Sequence, residues 1–163
     1  MDAVDEFLKA TDLLGIRASC GVETRVFIPE FHTREINSPG EPGVSYHMGI
    51  GFSSNSVPQS SVGILNDLRE RATKRNLVML SRLNAHLDPI KVDYERDVLS
   101  LTPNGYATER HMLSALINVV NKEVADKVLF WSEKLNLPFS DVEKSMQDVP
   151  KFSNLVRSKL MKR

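Results

Sequence analysis

Apolar and polar positions alternate along this chain in two rhythms, one near each end. Val4, Phe7, Leu8 and Leu14 fall at helical spacing, with Asp2 placed to cap the N-terminus and Gly15 placed to stop the helix. Ile16–Cys20 is short and strand-like, and Val22–Ile28 is rich in β-branched and aromatic residues, so it reads as a strand. Residues 29–43 hold Pro29, Pro39, Gly40, Pro42 and Gly43 and form a loop. Val44–Phe52 is a further strand, and SSNSVPQSS at 53–61 reads as a linker.

Beyond residue 61 the period becomes helical. Leu65, Leu68, Ala72, Met79 and Leu83 recur on one face, with Arg71, Lys74, Arg75 and Arg82 opposite, and Pro89 ends the run. A short element covers about 92–100, and Pro103-Asn104-Gly105 is a turn. Thr108 caps a helix carrying Met112, Leu113, Leu116, Ile117 and Val120. Another helix, through Val124, Val128, Trp131 and Leu135, stops before Pro138. Ser140-Asp141-Val142-Glu143 has the capping-box pattern, and Pro150 precedes a last helix through Leu155, Val156 and Leu160.

A helix, a glycine stop and a strand in quick succession are the second half of a βαβ unit. That order predicts a parallel sheet with a strand before the first helix, and none precedes Asp2. The C-terminus is a basic helix without a glycine cap. The expected organisation is therefore a chain that begins and ends mid-fold: residues 1–56 as part of an α/β sheet, residues 57–163 as a helical subdomain. Severed strand edges also predict self-association.

Composition narrows the function classes. Apolar residues make up 41% and charged residues 26% of 163 residues, which argues for a folded chain. Lys plus Arg and Asp plus Glu both number 21, a balance that disfavours a dedicated nucleic-acid binder. The lone Cys20 cannot build a disulfide framework. No apolar run approaches the ~20 residues that span a bilayer, and MDAVDEFLKA is acidic and amphipathic. A soluble, cytoplasmic protein with no membrane partner is the expectation.

Two polar residues interrupt the strands. Glu23 follows Gly21-Val22; a carboxylate buried there needs a partner such as a metal cation, and the alternatives are an exposed strand end or a salt bridge with Arg25 two residues on. His47 lies in the strand VSYHMGIGF, as a hydrogen-bonded structural residue or as a ligand to a divalent ion. In a parallel sheet both would emerge near the C-terminal strand edge. Glu30 and His32 are loop residues, and Cys20 is expected in the core. Arg110 and His111 on a helix either pack the subdomain or contact phosphate. The cations Arg69, Arg71, Lys74, Arg75 and Arg82, diluted by Asp67 and Glu70, are a solvated face or a binding face. The Gly-Pro loop lacks the order of a phosphate-binding loop.

LLGIRASCGVETRV, YHMGIGF, LNDLRERATKRNLVMLSRLNAHL and the helix around ERHMLSALI, in that order, resemble the PHP (polymerase and histidinol phosphatase) family of metal-dependent phosphoesterases over roughly residues 5–120. The resemblance implies a fold that is a predominantly helical α/β fragment, a partial parallel sheet from a distorted (β/α)₇ barrel with an inserted helical subdomain. It implies Glu23 and His47 as metal ligands, divalent Mn, Zn or Fe as cofactor, and hydrolysis of a phosphate ester by metal-activated water. His111, with Arg110, corresponds to a substrate-side position, and the implied substrate is a phosphorylated small molecule or nucleotide. The family's opening HxH and DH motifs and its late His and Asp strands have no counterpart here. The chain is thus expected to be an internal segment or an excised domain that holds no stable metal and is inactive by itself. The alternative is a non-catalytic helical binding module for a protein or nucleic-acid partner.

Overall fold

The computed structural model describes residues 3–102 and 104–161. The expected Asp2 cap and the Pro103 position of the turn lie outside these residues. The chain divides into two compact units, Met1–Gln59 and Ser60–Arg163. Among the described residues no helix is long and apolar enough to cross a membrane.

The first unit holds one helix, α1 (Val4–Leu14), and two strands, β1 (Cys20–Phe27) and β2 (Val44–Phe52). Gly15 ends α1 in the left-handed conformation, where its N–H and that of Ile16 return to the carbonyls of Asp12 and Thr11. Residues 16–19 carry no regular structure, so the strand begins later than the apolar pattern suggests. β1 and β2 pair with each other, antiparallel, as a two-stranded sheet.

That pairing corrects the expected fold: the chain is mostly helical and its sheet is an antiparallel hairpin, without the parallel strands of a (β/α)₇ barrel among the described residues. The physical reason lies in the connection. A parallel pair needs a crossover, usually a helix, whereas antiparallel strands need only a loop. Residues 28–43 contain three prolines and two glycines and form only a 3₁₀ turn at Pro29–Phe31, so they cannot supply the crossover helix. The register runs from Cys20 opposite Phe52 to Phe27 opposite Val44. Gly51, at φ 86°, is the extra residue of a bulge between the first two pairs.

The loop folds back on the hairpin. Asn37 brackets Tyr46: its Oδ1 accepts the Tyr46 N–H at 2.8 Å and its Nδ2 donates to the Tyr46 carbonyl at 3.3 Å. Glu41 receives both Arg25 and Ser38. Gly43 sits at φ 78° where a Cβ would come within 2.6 Å of the Phe27 ring, so no other residue fits without displacing it. Cys20 is the one buried apolar side chain of this unit among the described residues.

The second unit is a bundle of five helices among the described residues. They are α2 (Gln59–His86), α3 (Glu109–Glu123), α4 (Lys127–Leu135), α5 (Phe139–Met146) and α6 (Val149–Leu160), with a π turn at Tyr94–Val98 and a 3₁₀ turn at Leu99–Leu101. Every member of the buried apolar cluster lies between Leu80 and Met161. Trp131 is fully buried at its centre and meets Phe130 and Phe152 edge-on, with centroids 5.4 and 5.5 Å away. Its indole N–H finds no acceptor among the described residues.

Local signals explain where these helices start. Asp126 accepts the Leu129 N–H and Asp148 accepts the Lys151 N–H, capping α4 and α6. Asn136, at φ 51°, ends α4. The Ser140–Glu143 capping pattern is not used as a start, because α5 already begins at Phe139 behind Pro138. Buried Asn76 on α2 donates to the Ala107 carbonyl at 2.9 Å, and Arg157 on α6 grips Glu109 on α3 at 2.7 and 3.3 Å.

Candidate functional site

The hairpin register decides what Glu23 and His47 can do together. Side chains alternate between sheet faces, and directly paired residues share a face. Glu23 stands opposite Met48, whereas His47 stands opposite Thr24. The two therefore project from opposite faces, and the structure does not bring them to one point. Both are exposed. A solvated carboxylate on a hairpin face needs no compensating cation, so its presence in an apolar strand requires no metal. Among the described residues, Glu23 makes no ion pair, Arg25 instead being taken by Glu41 and lying 5.7 Å from the Tyr46 ring centroid. No group of three or more His, Cys, Asp or Glu side chains converges as a metal site among the described residues.

His111 serves the backbone. It occupies the third position of α3, and its Nδ1 accepts the Thr108 N–H at 3.0 Å, completing a reciprocal cap. A histidine in this role satisfies a helix-end donor that would otherwise be lost to water. Replacing it with alanine is expected to cost about 1 kcal/mol of stability, measured as a shift of the urea midpoint. A His111→Gln variant should restore part of this loss, because glutamine is the usual residue at that position of the cap. Equal loss in both variants would deny the capping role. Arg110, its neighbour, is exposed and makes no ion pair among the described residues. His32 donates through Nδ1 to the Pro29 carbonyl at 2.9 Å and holds its loop, while Glu30 is exposed.

The row of cations on α2 separates into four environments. Arg69 lies over the Tyr106 ring at 4.6 Å. Arg71 pairs with Asp67 one turn earlier at 2.8 Å. Arg82 lies in a cleft toward the end of the helix. Lys74 and Arg75 are exposed and make no ion pair among the described residues. Alongside them runs a feature that sequence reading missed. Ile64, Leu68, Arg71, Arg75 and Val78 follow one another at spacings of four, three, four and three, a single stripe on the helix surface. Ile64 is 63%, Leu68 42% and Val78 60% exposed, while all the buried residues of α2 (Asn76, Leu80 and Leu83) lie in its second half. The signal was legible in principle. The helix carries apolar residues on two faces, and Leu68 was assigned to the core face although it turns outward.

Displaced ionisations occur at ion pairs of the helical unit. The Asp97 carboxyl is held below its ordinary value chiefly by its hydrogen bond from Arg96, and Asp88 chiefly by its hydrogen bond from Lys91. The Arg157 guanidinium is raised by its bond to Glu109, and Arg96 by its bond to Asp97. Each of these pairs pins a turn or ties two helices, and the Arg96–Asp97 pair also borders an open depression beside Lys122.

Charge divides sharply between the units. Residues 1–59 carry eight acidic and four basic side chains, residues 60–163 thirteen acidic and seventeen basic. The balance over the whole chain thus conceals an acidic unit and a basic one. No family model, no curated protein and no solved structure matches this chain.

Proposed function

We propose that the chain is a non-catalytic binding module whose helical unit docks an acidic protein partner along the outer stripe of α2. The observation that carries this reading is the exposed line Ile64, Leu68, Arg71, Arg75, Val78 on a helix of 28 residues. Apolar side chains in register with cations, facing water, suit a groove that offers apolar contact and carboxylates. The net basic balance of residues 60–163 would speed encounter with such a surface. A protein suits the stripe better than nucleic acid. α2 has no Phe, Tyr or Trp to stack on bases, and its apolar residues interrupt the row of cations that a phosphate backbone would need.

The phosphoesterase reading requires Glu23 and His47 to project into one metal cluster. The antiparallel register supports the binding module instead, since it sets the two side chains on opposite faces.

The test is site-specific photo-crosslinking in cells that express the chain. A benzophenone side chain at Leu68 is expected to yield one discrete protein adduct with an acidic partner. The same group at exposed Glu143 on α5 should yield none. The adduct should fall at least about tenfold in the double variant Lys74→Glu/Arg75→Glu and weaken with added salt. Adducts to nucleic acid, equal labelling at both positions, or indifference to the charge reversal would each refute the reading.

A further inference from the structure

The last turns of α2 and α6 enclose a cleft of about 140 Å³. Its apolar part is Met79, Leu83, Leu160 and Met161, and its polar part is Arg82, His86 and Lys159. Among the described residues no carboxylate lines it. Neither Arg82 nor Lys159 has an ion-pair partner among the described residues. His86 donates its Nε2–H to the Lys134 carbonyl at 2.7 Å, which fixes the ring and leaves Nδ1 outside that bond. Both cations border one apolar cleft, so an anion bound there would meet two positive charges.

We infer that this cleft binds a small carboxylate with a benzene-sized apolar body, an aryl or branched-alkyl acid. Its size matches, because a protein cavity of about 150 Å³ accepts a benzene ring. The lining matches as well. Arg82 offers a planar fork for a carboxylate, Lys159 adds a second positive charge, and two methionines supply an adaptable apolar wall. Inorganic phosphate would satisfy the cations but leave Met79 and Leu160, the partly exposed portion of the apolar wall, in water. A neutral ring would do the reverse. The site is separate from the outer stripe of α2, and it uses none of the residues reversed in the crosslinking test.

Benzoate is the probe, titrated into the full chain and followed by amide chemical shifts and calorimetry. Saturable binding is expected with a Kd on the order of 1 mM or tighter, since a ligand of so few atoms has a low ceiling. The shifted amides should cluster at 79–86 and 159–161. Arg82→Gln/Lys159→Gln should weaken benzoate at least tenfold while leaving the melting temperature within a few degrees, because Arg82 is exposed and Lys159 only half-buried. Benzyl alcohol and inorganic phosphate should each bind at least tenfold more weakly than benzoate. Unsaturated or scattered shifts would overturn the site. Equal binding of benzyl alcohol would overturn the role of charge, and equal binding of phosphate would overturn the role of the apolar body.

Discussion

Trp131→Ala is expected to lower the stability of the helical unit by about 3–5 kcal/mol, among the largest losses a single core truncation produces. Trp131 is fully buried and wedged edge-on between Phe130 and Phe152, so its removal opens a cavity that two aromatic neighbours cannot close without leaving their own contacts. For a unit of about a hundred residues that loss corresponds to a fall in melting temperature of roughly 12 °C or more. Trp131→Phe is the informative companion. It keeps a ring in the slot and deletes an indole N–H that has no acceptor among the described residues. Its cost is expected to stay below about 2 kcal/mol, because the smaller cavity is offset by a desolvated donor no longer buried. Thermal and urea denaturation of both variants check the pair. Similar losses for Ala and Phe would mean that the N–H is satisfied and matters more than the ring.

Hydrogen exchange should divide the chain at its unit boundary. The amides of β1 and β2 are expected to exchange at least about a hundredfold faster than those of α3 and α6, a gap of roughly 3 kcal/mol in opening free energy. The cause is the distribution of buried apolar surface. Residues 80–161 hold the whole core cluster, whereas Cys20 is the one buried apolar side chain in the first unit among the described residues. A two-stranded hairpin without a further layer is marginal in water. Phe27, Met48 and Ile50 remain 58%, 73% and 83% exposed, so the hairpin faces contribute little burial. Exchange monitored by mass spectrometry on the isolated chain measures this directly. Hairpin amides as slow as those of α3 would show that the hairpin is covered in solution by something the single chain does not supply, a second copy being the first candidate.

The helical half was well legible in the sequence because its signals are local. Leu116, Val120, Trp131, Leu135 and Val156 fall at helical spacing and all are buried. Thr108 marks the start of α3 as its position suggested. The sheet was misread for a reason that is not local. Strand direction depends on which partner a strand finds, and a strand pattern reads the same in a parallel and an antiparallel pair. The decisive clue was the connection through 28–43, whose prolines exclude a crossover helix. Once direction was assumed, Glu23 and His47 followed onto one edge, and a register that separates them by a single step moved them to opposite faces. His111 has the chemistry of a phosphate contact, but its place at the third residue of α3 gives it a capping task instead. The outer stripe of α2 was hidden by a richer apolar count than one face needs.

The Asn37 bracket around Tyr46 has a consequence for the life of this protein before it is fully folded. An open strand edge is a template, and any chain with an extended segment can copy onto it. Asn37 places an amide where the next strand's backbone would lie, accepting and donating at the same residue. A visiting strand must first evict that side chain, and its register would be broken at Tyr46 even then. In a crowded, newly synthesised state the competition between reaching the native hairpin and polymerising through β2 is thereby tilted toward folding, by one polar side chain contributed from the loop.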